Sequence, residues 1–171
     1  MLNSFVQGYR RDAVAAFFGH RKPENEYMRR GSQLHKLLGF DNQEKFSCTF
    51  ELDGDYVELV GKVDWIDKER RIIKELKTLF SYDGYIPGKK IEAARIQLQS
   101  YLLAYRYPMG QLVFVDASKW DGDKSQLPPI VKKIFVYRDD EAVLEVIRKF
   151  IKEIKSQSRI TVYLNSDIEP D

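Results

Sequence analysis

Two apolar segments with charges set into them constrain this chain more than any other feature. Gly61-Lys62-Val63-Asp64-Trp65-Ile66-Asp67 and Arg71-Ile72-Ile73-Lys74-Glu75-Leu76-Lys77-Thr78 each read as a strand, with Asp67-Lys68-Glu69-Arg70 as a charged turn between them. Strand side chains alternate between faces. Ile73, Glu75 and Lys77 therefore share one face, and Ile72, Lys74 and Leu76 the other. Trp65, Ile66, Ile72, Ile73 and Leu76 imply a central strand pair, where charges are costly unless paired or bound to metal. If the strands are neighbours, Asp64, Glu75 and Lys77 converge. Two carboxylates and an ammonium at one point suit a hard cation and the cleavage of a phosphodiester. Taken alone, Glu75-x-Lys77 is also what an exposed strand face carries; the apolar context distinguishes the two readings.

The rest of the chain supplies elements around this pair. Phe5, Val6, Tyr9, Ala13, Ala16 and Phe17 recur at helical spacing over residues 4–18, with Ser4 as N-cap, until His20-Arg21-Lys22-Pro23 breaks the helix. A second helix is expected from about Glu24 to Leu38, ending at Gly39, with Tyr27, Leu34, Leu37 and Leu38 inward. Gly31 in its middle costs roughly 1 kcal/mol against Ala and implies a packing reason. Residues 45–52 alternate as a strand, Asp53-Gly54 signals a tight hairpin, and the return strand covers 56–66. With 71–77 this makes an antiparallel three-strand meander. Leu79 to Gly88 is a loop. Ile91, Ala94, Leu98, Tyr101, Leu102 and Tyr105 mark a helix from about Lys90 to Arg106. Leu112-Val113-Phe114-Val115 reads as a buried strand, Trp120 to Pro129 as a polar loop, and 130–137 as another strand. Asp139 or Asp140 caps a last helix to about Lys155, and Ile160 to Tyr163 reads as one more strand. The expected fold is α/β: a mixed central sheet flanked by helices, in a single domain over residues 1–171.

Composition excludes more than it assigns. No apolar run approaches the roughly 20 residues of a membrane span, and the N-terminus lacks the pattern of a signal peptide. A single cysteine, Cys48, rules out an internal disulfide framework and any site built from several cysteines, and points to an intracellular location. A net charge of +2 is too small for a global field, so any nucleic-acid contact must be local. Lys89-Lys90, at the start of a helix, is the best basic pair for phosphate. Tyr82 and Tyr85 are candidates for stacking on unpaired bases. His20, in a basic loop, reads as solvated.

Four segments, in order, resemble the PD-(D/E)xK nuclease superfamily, and within it the RecB-type exonuclease domains, including the CRISPR-associated RecB-like nucleases. Gly31-Ser32-Gln33-Leu34-His35 resembles the helix motif with a metal-binding histidine. Gly61-Lys62-Val63-Asp64 resembles the acidic strand motif, Glu75-Leu76-Lys77-Thr78 the E-x-K motif, and Gln97-Leu98-Gln99-Ser100-Tyr101 the Q-x-x-x-Y helix motif. The resemblance covers about residues 28–116 and implies a restriction-endonuclease-like core. By that resemblance His35, Asp64, Glu75 and the Leu76 carbonyl hold Mg²⁺ or Mn²⁺. Lys77 orients or deprotonates the attacking water and stabilises the phosphate charge. Gln97 and Tyr101 position Lys77, the water or the DNA backbone. Val63 stands where the superfamily's name has proline. Many RecB-like CRISPR relatives carry four cysteines for an iron–sulfur cluster; with only Cys48, no cluster is expected. The implied activity is a metal-dependent DNA nuclease, an exonuclease on single-stranded or end-accessible DNA. A helicase or repair partner or a homo-oligomer would supply processivity. The alternatives are a structure-selective endonuclease on the same core and a non-catalytic DNA-binding or assembly module.

Overall fold

The computed structural model describes residues 5–8, 23–41 and 44–168, with side chains up to Lys155. Most of the helix expected over 4–18, and His20, lie outside the described residues. Phe5 is described, and its ring meets Phe150 edge-on at 5.2 Å.

The first helix, α1 (Glu26–Leu37), starts where Asn25 Oδ1 accepts a hydrogen bond from the Met28 N–H at 2.9 Å, the usual N-cap arrangement. Leu34 is fully buried against Ala117 and Trp120. Leu38 and Phe40, just past the helix, cover Leu76, Val113 and Val115. Tyr27 is not part of this inner stripe: it is 60% exposed. It lies in the first turn, a full two turns before the fully buried Leu34. Nor does Gly31 have a packing reason, since a Cβ built there meets nothing within 4 Å.

Strands β1 (Glu44–Leu52) and β2 (Asp55–Val63) form an antiparallel hairpin in which Phe46 faces Gly61. Its two-residue turn has Asp53 at φ 52° and Gly54 at φ 83°, the left-handed pair that matches the strands' twist. The expected meander does not continue through Asp64. The chain bends there, and β3 (Trp65–Asp67) begins a second sheet by pairing antiparallel with β4 (Ile72–Leu79). At the bend Asp64 uses its side chain, not a ladder position, to bind the Leu76 N–H at 3.0 Å, so a side chain replaces backbone pairing there.

Helix α2 (Gly88–Tyr105) carries the chain over to β5 (Met109–Asp116), which runs parallel to β4, and β6 (Ile130–Tyr137) returns antiparallel to β5. A parallel pair requires such a crossover. The four-stranded order is β3-β4-β5-β6, a mixed sheet flanked by helices, as expected. Ala94, Leu98, Tyr101 and Leu102 of α2 pack on Ile73, Leu112, Phe114 and Val136. The approach is close at Gly110, where a Cβ would sit 2.6 Å from the Ile73 carbonyl oxygen and 2.9 Å from Leu98 Cδ1.

The last helix, α3 (Asp140–Ile168), places Val143 and Ile147 against Leu52, with Phe50, Val57 and Leu59 of the hairpin around them. The expected strand at Ile160 to Tyr163 is absent: those residues continue the helix. Their β-branched composition is a weak preference, and extending an existing helix gains one hydrogen bond per residue fixed.

Candidate active site

The candidate catalytic and metal-binding residues come from four separate parts of the chain and meet at one place. His35 comes from α1, Asp64 from the bend between β2 and β3, Glu75, Leu76 and Lys77 from β4, and Gln97 and Tyr101 from α2. Glu75 and Lys77 share the α2 face of β4, as the alternation requires. Lys77 Nζ lies 3.0 Å from Glu75 Oε1 and donates to Gln97 Oε1 at 2.5 Å. Gln97 Nε2 in turn donates to the Tyr101 hydroxyl oxygen at 2.7 Å. Residues four apart on a helix are neighbours, so α2 presents Gln97 and Tyr101 as one unit behind Lys77.

On the other side, Asp64 Oδ2 accepts from the Leu76 N–H and lies 3.1 Å from His35 Nε2. His35 Nδ1 lies 2.8 Å from the Gly31 carbonyl. A carbonyl only accepts, so Nδ1 carries a proton. Nε2 faces the Asp64 carboxyl, an arrangement that favours the charged ring. Burial opposes that charge. The hydrogen bond and charge of Asp64 outweigh it, with help from the Gly31 carbonyl and Glu75, and the histidine pKa rises.

Glu75 sits in a costly place for a charge. It is 2% exposed. Burial pushes its pKa up to about 8 against the pull of Lys77, and Asp64 pushes in the same direction as burial. Its Oε2 is buried without a hydrogen-bond partner. A buried carboxylate oxygen without a donor needs a proton or a cation. Tyr101 is also held strongly in its protonated form, by burial first and then by the charge of Glu75.

The donor set suits a divalent cation: two carboxylates, one of them with an orphaned oxygen, beside an imidazole nitrogen. The Leu76 N–H points towards Asp64. A strand residue's N–H and C=O lie on the same side, so the Leu76 carbonyl faces this gap as well. As the side chains stand, no three His, Cys, Asp or Glu groups among the described residues are disposed to hold a metal. Lys77 and His35 hold the carboxylates instead, and cation binding requires those two contacts to be exchanged.

Three contributors were not singled out from the sequence. The Leu76 amide anchors Asp64. Phe46 packs edge-on against Tyr101, with centroids 5.5 Å apart. Gly61 leaves room for that ring, since a Cβ there would come within 2.8 Å of Phe46 Cε1. A glycine inside a strand is the signal for such a close approach. Thr78 Oγ1 is also buried without a partner. Lys89 and Lys90 are exposed in the first turn of α2, two turns before Gln97.

No protein-family profile matches the chain, and no curated protein matches it in sequence. Solved structures do match. The chain is similar to SSO0001 at 16% identity, with 89% of this chain and 86% of that one covered and a TM-score of 0.51. It is similar to a phage-related exonuclease from Haemophilus somnus 129PT at 19% identity, with 95% and 83% covered and a TM-score of 0.50. At these identities the likeness defines the fold alone, which is restriction-endonuclease-like.

Proposed function

We propose that the chain is a metal-dependent nuclease that hydrolyses phosphodiester bonds in DNA, acting as an exonuclease on single-stranded or end-accessible substrates. One observation carries this reading: Asp64, Glu75, Lys77 and His35 meet at one point, and Glu75 keeps a buried oxygen without a donor. The exonuclease among the fold's neighbours supports the reaction class.

Asp64, Glu75, His35 and the Leu76 carbonyl would hold Mg²⁺ or Mn²⁺, and the imidazole favours Mn²⁺. When bound, the ion supplies charge neutralisation at the phosphate and a lowered pKa for water. Lys77 lies beside the carboxylates with its ammonium fixed by Gln97. There it orients the attacking water and offers a positive charge to the phosphate oxygens as negative charge grows. Tyr101 holds Gln97, and Phe46 holds Tyr101, so Lys77 is oriented through two further side chains. Gln97 would thus keep its hold on the Lys77 ammonium when the contact with Glu75 is exchanged for the cation.

The test uses end-labelled single-stranded DNA with Mn²⁺ or Mg²⁺, comparing wild type with Lys77→Ala and Glu75→Ala. Degradation by wild type, with a loss of at least about a hundredfold in each variant, is the expected outcome, the scale of losing one charge-stabilising group. An inert wild type on both linear and circular strands sinks the reading. Cleavage of a circular single strand replaces the exonuclease with an endonuclease.

A further inference from the structure

The catalytic cluster ends on α1 at His35, and the same ridge of that helix continues away from it through Gly31 to Tyr27. These residues are spaced four apart, so they form one row on the helix surface. From Tyr27 to His35 the row is about 12 Å long, more than one nucleotide.

Gly31 is the anomaly in this row. A glycine inside a helix costs roughly 1 kcal/mol against alanine. Its φ is not positive, and a Cβ would meet nothing within 4 Å. Neither conformation nor internal packing accounts for it. What a missing side chain leaves here is a strip of bare backbone open to a ligand. At the far end Tyr27 is a large aromatic residue left 60% exposed. Its ring is braced rather than loose: it lies 5.4 Å from the ring of Phe80, the residue just after β4. Phe80 also lies under the Arg30 guanidinium, at 5.4 Å, and the same guanidinium sits 5.7 Å from the Trp120 ring and donates to the Trp120 carbonyl.

We infer that this ridge is the track of one unpaired nucleic-acid strand, with its sugar-phosphate chain passing over Gly31 and a base stacked on Tyr27. The inference rests on the nuclease reading above and deepens it by naming which substrate the site accepts. A base in a duplex has both faces covered by its neighbours, whereas a single strand can offer a face to an aromatic ring. The ridge is continuous with the phosphate-cleaving cluster, so the bound strand and the cleaved strand are the same one. Stacking tolerates any base, which fits an enzyme that degrades a strand along its length.

The test is binding of a fluorescent oligothymidylate in EDTA, where no hydrolysis occurs, alongside Mn²⁺-dependent cleavage of the same oligonucleotide. Tyr27→Ala is expected to weaken binding at least about fivefold, the lower end of one stacked base. Replacing the thymines by abasic sugars should abolish the difference between wild type and Tyr27→Ala. Gly31→Ala and Gly31→Gln are expected to weaken binding while the melting temperature stays level or rises, because both are better helix formers than glycine. Tyr56→Ala, on an exposed aromatic of the hairpin, should bind as wild type does. If wild type cleaves but the Tyr27 and Gly31 variants bind as it does, the track is overturned and the nuclease reading stands. If wild type neither binds nor cleaves, both fall.

Discussion

The acid–base properties of Glu75 and His35 tie the site to the stability of the protein. Glu75 sits above its ordinary value because burial disfavours its charge. Between the unfolded carboxylate range and about 8, the folded chain therefore keeps a proton that the unfolded chain has released. Unfolding is then favoured as pH rises through that window. His35 is raised too. Its contribution is fully present below its unfolded pKa and is lost as pH rises through the folded one. Both groups thus act in the same direction. Denaturant unfolding of the chelator-treated protein should show stability falling from mildly acidic to mildly alkaline pH. Glu75→Gln should flatten most of that slope, and a slope unchanged by Glu75→Gln would show that the carboxyl titrates elsewhere. Strand alternation set Glu75 and Lys77 on one face, and helical spacing set Gln97 beside Tyr101, as the structure has them; no period links His35 to Asp64, and only the motif resemblance brought His35 into the set. Tyr27 was misjudged on the same logic: periodicity assigns a face and does not say whether anything covers it.

Among the elements, β4 and β5 depend on a backbone approach that a single methyl group obstructs. At Gly110 the obstacle is the Ile73 carbonyl, a backbone atom of the neighbouring strand, with Leu98 of α2 closing the other side. Gly110→Ala should destabilise by about 1–3 kcal/mol, the scale of overpacking, as read by urea unfolding. Gly31→Ala, in open space, should not. A Gly110→Ala protein as stable as wild type would mean that α2 can lift off the sheet without cost. Elements were read well where one pattern sufficed: Ile130–Tyr137 as a strand, and the Asp53-Gly54 turn with both residues at positive φ. The meander failed at Asp64 because a side-chain bond to the Leu76 amide is a tertiary event with no local signature. The strand expected at Ile160 to Tyr163 failed because a helix already under way extends through residues of modest propensity.

For the whole molecule the question is how a chain with a net charge of only +2 holds a polyanion. Many of its cations have internal partners. Arg30 donates to the Trp120 carbonyl and Arg71 to the Arg106 carbonyl. Arg138 pairs with Asp140, and Arg148 with Asp53 and Glu141. Lys68 pairs with Glu44, Lys149 with Glu145, and Lys155 with Asp55. The Arg148 and Lys155 pairs fasten the hairpin tip to α3, so they serve the fold. On the ridge itself Tyr27 and Gly31 carry no charge, and Lys77 of the cluster is already paired with Glu75, so stacking and the catalytic cluster carry a larger share of the affinity there. Each phosphate neutralised on a single strand adds about −0.7 to the slope of log affinity against log salt. Neutralising two or three phosphates gives a shallow slope of about −1.4 to −2.1. Titrating the oligothymidylate at several salt concentrations in EDTA measures this directly. A much steeper slope would mean that a broad basic surface holds the strand, with Lys89 and Lys90 at the head of α2 as the first residues to neutralise. A shallow slope that stays shallow in Tyr27→Ala, with affinity lowered at every salt concentration, is the pattern of a strand held by an aromatic ring beside a small charged site.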